Sequence, residues 1–265
     1  MQNPATIKRI LVSIVFVLIF SVTAFVLYLT ITPDPTCFDG KKNQAEKAVD
    51  CGGTCAPCVE AIQTKPLTIE ETAVVFGGNN TYDAVAKIIN PNDSVGASSF
   101  KYTFNLKDSS GNVVATRQGT NFILPADSKY VVDLGFQFEN GGVPTSAEFV
   151  INDVAWEKLS DIGKPQIGVY RKNFGKTPTG NGNEADGIIR NESGYDLNKI
   201  FIAIVLRNED GEIIGVNKTE KNFVRTKAEI EFRLNWPYQF SAPVAKMDVD
   251  AQANIFDREN FTFSL

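Results

Sequence analysis

Cys37, Cys51, Cys55 and Cys58 are the residues of this 265-residue chain best suited to chemistry, and all four of its cysteines fall in that one stretch. Thiols so spaced can pair as disulfides, bind zinc as thiolates, or cycle as a redox dithiol. Cys51-x3-Cys55-x2-Cys58 has spacing compatible with a tetrahedral all-thiolate site. Cys55-Ala56-Pro57-Cys58 has the form of a redox C-x-x-C, but that chemistry needs a helix N-terminus in a βαβ unit, and nothing around it supplies one. Disulfides are the expectation, because the stretch is too short to bury a core and an even cysteine count staples such segments. Four cysteines allow three pairings, and their order alone does not choose among them. Asp39, Asn43, Glu46 and Asp50 are interleaved with the cysteines and offer hard oxygen ligands for a candidate Ca²⁺ site. Lys41, Lys42 and Lys47 share the loop, and a merely solvated charged loop ranks ahead; no other cofactor is expected.

The rest of the chain is poor in reactive groups. It contains no histidine, which removes Ser-His-Asp and Cys-His nucleophile chemistry and the imidazole ligands of catalytic zinc. Paired carboxylates or a Ser-Lys dyad leave no local signature, so a carboxylate-dependent hydrolase ranks last and no catalytic residue is expected. Trp236-Pro237-Tyr238 offers two weak ligand-binding candidates, since an exposed Trp236 and Tyr238 would suit glycan stacking; a packed corner ranks ahead. Residues 176–183 form a polar Gly-Asn-Thr loop with no helix after it, hence no phosphate loop. Sequons stand at Asn79, Asn92, Asn191, Asn217 and Asn260.

An apolar run explains where such a neck would sit. Residues 10–31 carry no charge and follow directly on Lys8 and Arg9. About 20 apolar residues span the hydrocarbon core of a bilayer. The basic pair on the short side predicts a cytoplasmic N-terminus and an extracytoplasmic remainder at the cell membrane. A cleaved signal peptide is the rival, but its apolar region is shorter, about 7–15 residues, and Phe25 to Leu29 continue past the small cluster Ser21–Ala24. Of 26 basic residues, taking away Lys8 and Arg9 leaves 24 against 31 acidic, a net of −7 for the exported part. That balance gives no footprint for nucleic acid.

Beyond the neck the pattern is β. Phe100-x-Tyr102-x-Phe104-x-Leu106 and Val132-x-Leu134-x-Phe136-x-Phe138 alternate with period two, and Asp108-Ser109-Ser110-Gly111 reads as a hairpin turn. The aromatics of these runs are assigned to a core. The pattern recurs about 100 residues later. Ile88-Ile89-Asn90 answers to Ile188-Ile189-Arg190-Asn191, Phe104-x-Leu106-x-Asp108 to Ile204-x-Leu206-x-Asn208, and Asn121-Phe122 to Asn222-Phe223. Each copy offers about seven short strands, the size of an immunoglobulin-like sandwich. The expected fold is therefore all-β: two tandem immunoglobulin-like antiparallel β-sandwiches, preceded by one transmembrane α-helix and a short disulfide-rich neck. The boundaries are 1–9 cytoplasmic, 10–31 anchor, 32–66 neck and linker, 67–156 first sandwich, 157–165 linker and 166–265 second sandwich. Placed end to end, the sandwiches would reach on the order of 80 Å.

Two resemblances attach to these residues. Residues 37–58, C-x-D-G-x-x-N-x-x-E-x-x-x-D-C-G-G-x-C-x-x-C, are similar to a cysteine-rich segment of bacterial surface proteins, which implies a juxtamembrane module. Phe104-Asn105-Leu106-Lys107-Asp108, the following Gly111 and Leu124-Pro125 resemble the FxLYD-type family of exported β-sandwich domains, with Lys107 in place of the tyrosine. The family implies a binding or spacer module and brings no catalytic residue. The expectation is a non-catalytic, membrane-anchored binding or scaffold protein facing an envelope protein or a glycan. An accessory subunit of an envelope membrane complex, of secretion, pilus or transport type, is the alternative.

Overall fold

A computed structural model describes residues 4–31, 37–43, 45–58, 63–138, 142–159 and 163–263. Parts of the expected linkers, 32–36, 59–62 and 160–162, lie outside the described residues. Residues 1–61 and 62–265 form two separate units.

The first unit opens with helix α1, Pro4–Ile31. Its stretch Ile7–Tyr28, 22 residues with a mean hydropathy of 3.0, is long and apolar enough to cross a membrane. From Ile10 onward it is apolar all round, and no side chain of the stretch is buried, as a helix solvated by lipid would be. Among its described residues the neck that follows has no long element, only turns, bends and the isolated bridge Ala48–Cys51.

The second unit holds thirteen strands among its described residues. The first half contains β1 Thr68–Gly78, β2 Thr81–Asn90, β3 Val95–Lys107, β4 Val113–Ile123, β5 Asp127–Phe136 and β6 Ser146–Lys158. They form two antiparallel sheets, β1-β2-β5 and β4-β3-β6. The second half contains β7 Ile167–Lys176, β8 Asn183–Asn191, β9 Asp196–Arg207, β10 Ile213–Val224, β11 Glu229–Trp236, β12 Lys246–Gln252 and the two-residue β13 Phe261–Thr262. Its sheets, β11-β8-β7 and β10-β9-β12, repeat the order of the first half, with β13 added on β9. Among the described residues the first half thus has six strands, against about seven expected, and the second has seven, the last of only two residues. The expected linker, 157–165, also shortens, since Glu157 and Lys158 pair with Gly96 and Val95 at the end of β6.

Alternation builds the first core. Phe100, Tyr102, Phe104 and Leu106 all point inward, where Tyr102 stacks on Phe149 at 5.3 Å and Phe104 meets Phe149 at 4.7 Å. The run from Val132 to Phe138 behaves differently. Gly135 sits at φ +71°, and the β2–β5 register shifts between Tyr82 and Ala84. Such a bulge turns the strand over. Val132 and Leu134 therefore face away from the core that Phe136 enters.

A buried asparagine closes each sandwich in the same way. Asn90 donates from Nδ2 to the carbonyls of Val95 and Leu124, at 2.8 and 2.9 Å. Asn191 donates to those of Tyr195 and Val224, at 2.9 and 3.0 Å. Their Oδ1 atoms accept from Asn92 N and Ser193 N. With the asparagines equivalent, the core-facing pair is Ile88 and Ile189, both fully buried, so the match in this strand slides by one residue from the Ile88–Ile188 alignment.

The two sandwiches do not stand end to end. Val75, Val85 and Val132, on the outer face of β1-β2-β5, pack against Ala203, Val205 and Val216 of β9 and β10. Arg207 crosses this contact, donating to Glu71 Oε1 at 2.9 Å and Oε2 at 2.6 Å, to Asp248 Oδ2 at 3.1 Å and to the Tyr130 hydroxyl at 3.2 Å. A fork-on-fork pair of this kind fixes geometry as well as energy. Four sheets are thus stacked in one compact unit.

Candidate functional site

The neck is built by its bridges and by four oxygen-bearing side chains. Cys37 pairs with Cys55 and Cys51 with Cys58, at Cα separations of 5.6 and 4.8 Å. Sulfurs held in bridges offer no thiolate to zinc. The candidate calcium ligands are turned largely onto the loop itself. Asp50 accepts from Gly40 N, Asp39 from Lys41 N and Asn43 Nδ2, and Glu46 from the backbone N–H groups of Asn43 and Asp50. Glu46 is buried with its Oε1 3.2 Å from Cys55 Sγ, while Asn43 Oδ1 is buried without a hydrogen bond. Gly53, at φ +66°, lies so close to Ala45 that a Cβ would stand 2.3 Å from its carbonyl oxygen. The Gly-Gly pair is therefore a steric requirement of the fold of this loop.

Trp236 and Tyr238 prove to be packing residues. Trp236 is 2 % exposed and donates from Nε1 to Val216 O. β11 places it in phase with the buried Phe232 and Leu234, so its ring has no face for a glycan. Tyr238 is half-buried and reaches the other sandwich, donating to Phe76 O at 2.7 Å with its ring 5.2 Å from that of Phe76. Burial raises its hydroxyl pKa.

The chemically unusual site lies where the sandwiches meet. A cavity of about 690 Å³ opens between β4 and β5 of the first half and β9, β10 and β12 of the second. Phe122 and Phe201 give it an aromatic wall, with ring centroids 5.9 Å apart. Lys129 lines it at 4 % exposure, its Nζ 3.3 Å from the centre of the Phe122 ring. No described group takes a hydrogen bond from that ammonium. Gln252 also lines the cavity; its Nε2 donates to Ser128 O, and its Oε1 is buried without a donor. Asp250, two residues earlier on β12, accepts from Tyr130 N at 3.0 Å. Asp250 and Gln252 thereby occupy the backbone edge of β5 that β2 leaves open. At the opposite rim Lys218 pairs with Asp133 at 3.0 Å.

Desolvation dominates the electrostatics. Burial lowers the Lys129 pKa to about 7, against the opposing pull of the Asp250 and Asp127 charges. Burial likewise raises Asp250 to about 6, against the Lys129 charge and the Tyr130 N–H. Tyr102 donates to Asp133 at 3.1 Å, and burial followed by that carboxylate raises its pKa.

Sequence reasoning passed over Lys129, Asp250, Gln252, Phe122 and Phe201. One signal for Lys129 was parity: it stands two residues before the core valine Val131, on the same side of β5.

No protein-family model matches the chain, and no curated protein does. Among solved structures it is similar to red sea bream transglutaminase at 12% identity and a TM-score of 0.25, over 73% of this chain and 29% of that one. The chain thus spans less than a third of that protein's length, and a likeness so slight bears on neither reaction nor ligand.

Proposed function

We propose that this chain is a single-pass membrane protein, cytoplasmic at its N-terminus, whose paired FxLYD-type sandwiches bind a ligand outside the membrane in the cavity between them. The observation that carries the proposal is that two residues lining that cavity, Lys129 and Gln252, each bury a polar atom without a partner, Nζ and Oε1. Buried polar groups are almost always hydrogen-bonded, and leaving one unmet costs about 1–3 kcal/mol. Two such atoms on residues of one cavity favour a ligand whose hydroxyls meet them. The anchor side of the proposal rests on the charge-free helix behind Lys8 and Arg9 and on the bridged neck, which suits an oxidising compartment.

Perturbed lysine and carboxyl groups also mark catalytic sites. Here both shifts have one structural cause, loss of water, and Lys129 lacks the hydrogen bond to Asp250 that would relay a proton. Binding is therefore the reading, and no turnover is proposed.

Fractionation of intact cells tests the topology. The chain should stay in the membrane pellet after carbonate extraction, and external protease should remove a C-terminal epitope. Release by carbonate would contradict the anchor, and a protected epitope would contradict the orientation. Ligand capture from envelope extracts should be lost in Thr120→Trp, which fills the cavity mouth from an exposed position. Undiminished capture would place binding elsewhere.

A further inference from the structure

Because Lys129 and Gln252 line one aromatic-walled cavity and bury unmet atoms of opposite hydrogen-bond character, Nζ and Oε1, we propose that the ligand is a neutral saccharide. The inference rests on the cavity being the ligand site and goes further, to the chemistry that fits it. An ammonium has three donors and no acceptor, whereas an amide oxygen only accepts. A carboxylate or phosphate would satisfy Lys129 but leave Gln252 unmet, and it would enter beside the Asp250 carboxylate. An amine would satisfy Gln252 but leave Lys129 unmet and face its charge. A hydroxyl both donates and accepts, and neighbouring hydroxyls on one ring present both functions side by side.

The walls agree with that choice. Phe201 is 39% exposed although it lines the cavity, so an apolar face is held open to solvent. The C–H face of a sugar ring covers such a surface while its hydroxyls turn to polar groups. Ser99, Thr120 and Asn121 supply further neutral hydrogen-bonding groups, and the remaining charged lining residues, Lys218, Glu220 and Asp257, are of both signs. The volume falls within the range of roughly 300–1,000 Å³ typical of small-ligand sites. Cation–π contact with Phe122 holds Lys129 in position and leaves the N–H groups turned away from the ring for a hydrogen bond.

Saturation-transfer NMR on the full chain in detergent tests this, with chitobiose, cellobiose and lactose as neutral probes, citrate as the anion and spermidine as the amine. At least one neutral disaccharide should give ring-proton transfer. Lys129→Met and Gln252→Leu should each weaken it at least tenfold, and Thr120→Trp should abolish it. Melting curves establish that each variant folds, and Phe201→Ala, which leaves both polar groups in place, gives a second reading at the wall. Retention on insoluble cell-wall glycan then separates the sources: a free sugar ligand leaves the chain unbound there, and a polymer ligand holds it. Binding of citrate or spermidine alone, lost in Thr120→Trp, would overturn the saccharide while leaving the cavity as the ligand site. Silence from every probe and from the polymer would overturn both.

Discussion

Lys129 gives up nearly all its hydration to stand over Phe122, and that loss has a pH signature. Its folded pKa of about 7 lies below the ordinary lysine value of 10.5, so between them the unfolded chain binds the extra proton. Stability must then rise with pH across that window, by at most about 1.4 kcal/mol per pH unit for one group. Asp250 works in the lower window. Its folded value of about 6 exceeds the ordinary 3.8, so stability falls as pH rises from about 4 to 6. The least favourable region is near pH 6–7, where both groups are charged and buried. Lys129→Met should flatten the rise between pH 7 and 10 in urea melts at fixed temperature; an unchanged slope would mean that the ammonium is hydrated. Asn90 and Asn191 make the opposite case, since every polar atom that they bury finds a partner. Asn90→Ala or Asn191→Ala strands two carbonyls and an N–H, and each should cost about 2–4 kcal/mol in chemical denaturation. A loss below 0.5 kcal/mol, on the scale of an ordinary surface substitution at roughly ±0.5, would contradict the closure described for the sandwiches.

At the scale of elements, the turn and bulge glycines decide which way strands face. Gly135, at φ +71° with its N–H on Asp83 Oδ1 at 2.7 Å, separates Val132 and Leu134 from Phe136. Gly135→Val should cost about 1–2 kcal/mol from the left-handed backbone alone, read as a lowered denaturant midpoint; an unshifted midpoint would mean that β5 has no bulge there. This explains what was legible. The β3 alternation named the core correctly because nothing interrupts it between Phe100 and Leu106. The β5 alternation misled because period two says nothing of a glycine that reverses the strand. The contact between sandwiches was written in the sequence in another form. Ile202 to Leu206 are apolar on both parities and all five are buried, the mark of a strand covered on both faces. Ala84-Val85-Ala86 in β2 carries the same mark. The cavity was not legible, because Lys129, Asp250 and Gln252 meet only after two distant strands, β5 and β12, are brought edge to side chain.

For the whole molecule, the consequence of stacking four sheets is shared stability. Glu71 is held below the ordinary carboxylate range by its hydrogen bond from Arg207. Burial alone would raise Asp248, but hydrogen bonds from Lys246 and Arg207 outweigh it and hold it low. Both contributions are present above the ordinary carboxylate pKa and vanish as acid protonates the pair. The sandwiches should therefore melt in one calorimetric transition at pH 7. Arg207→Met leaves two half-buried carboxylates facing each other and should cost about 1–3 kcal/mol, with the transition widening or splitting. Two independent transitions in the unaltered chain would show the sandwiches to be separable. A rigid pair matters to the proposed binding because the cavity is lined from both halves. The most direct test is therefore a crystal structure of the chain grown with whichever disaccharide gives the NMR response. The account predicts sugar density between β5 and β12, with hydroxyl oxygens within hydrogen-bonding distance of Lys129 Nζ and Gln252 Oε1. Density for water alone in that cavity, with the sugar bound elsewhere, would contradict it.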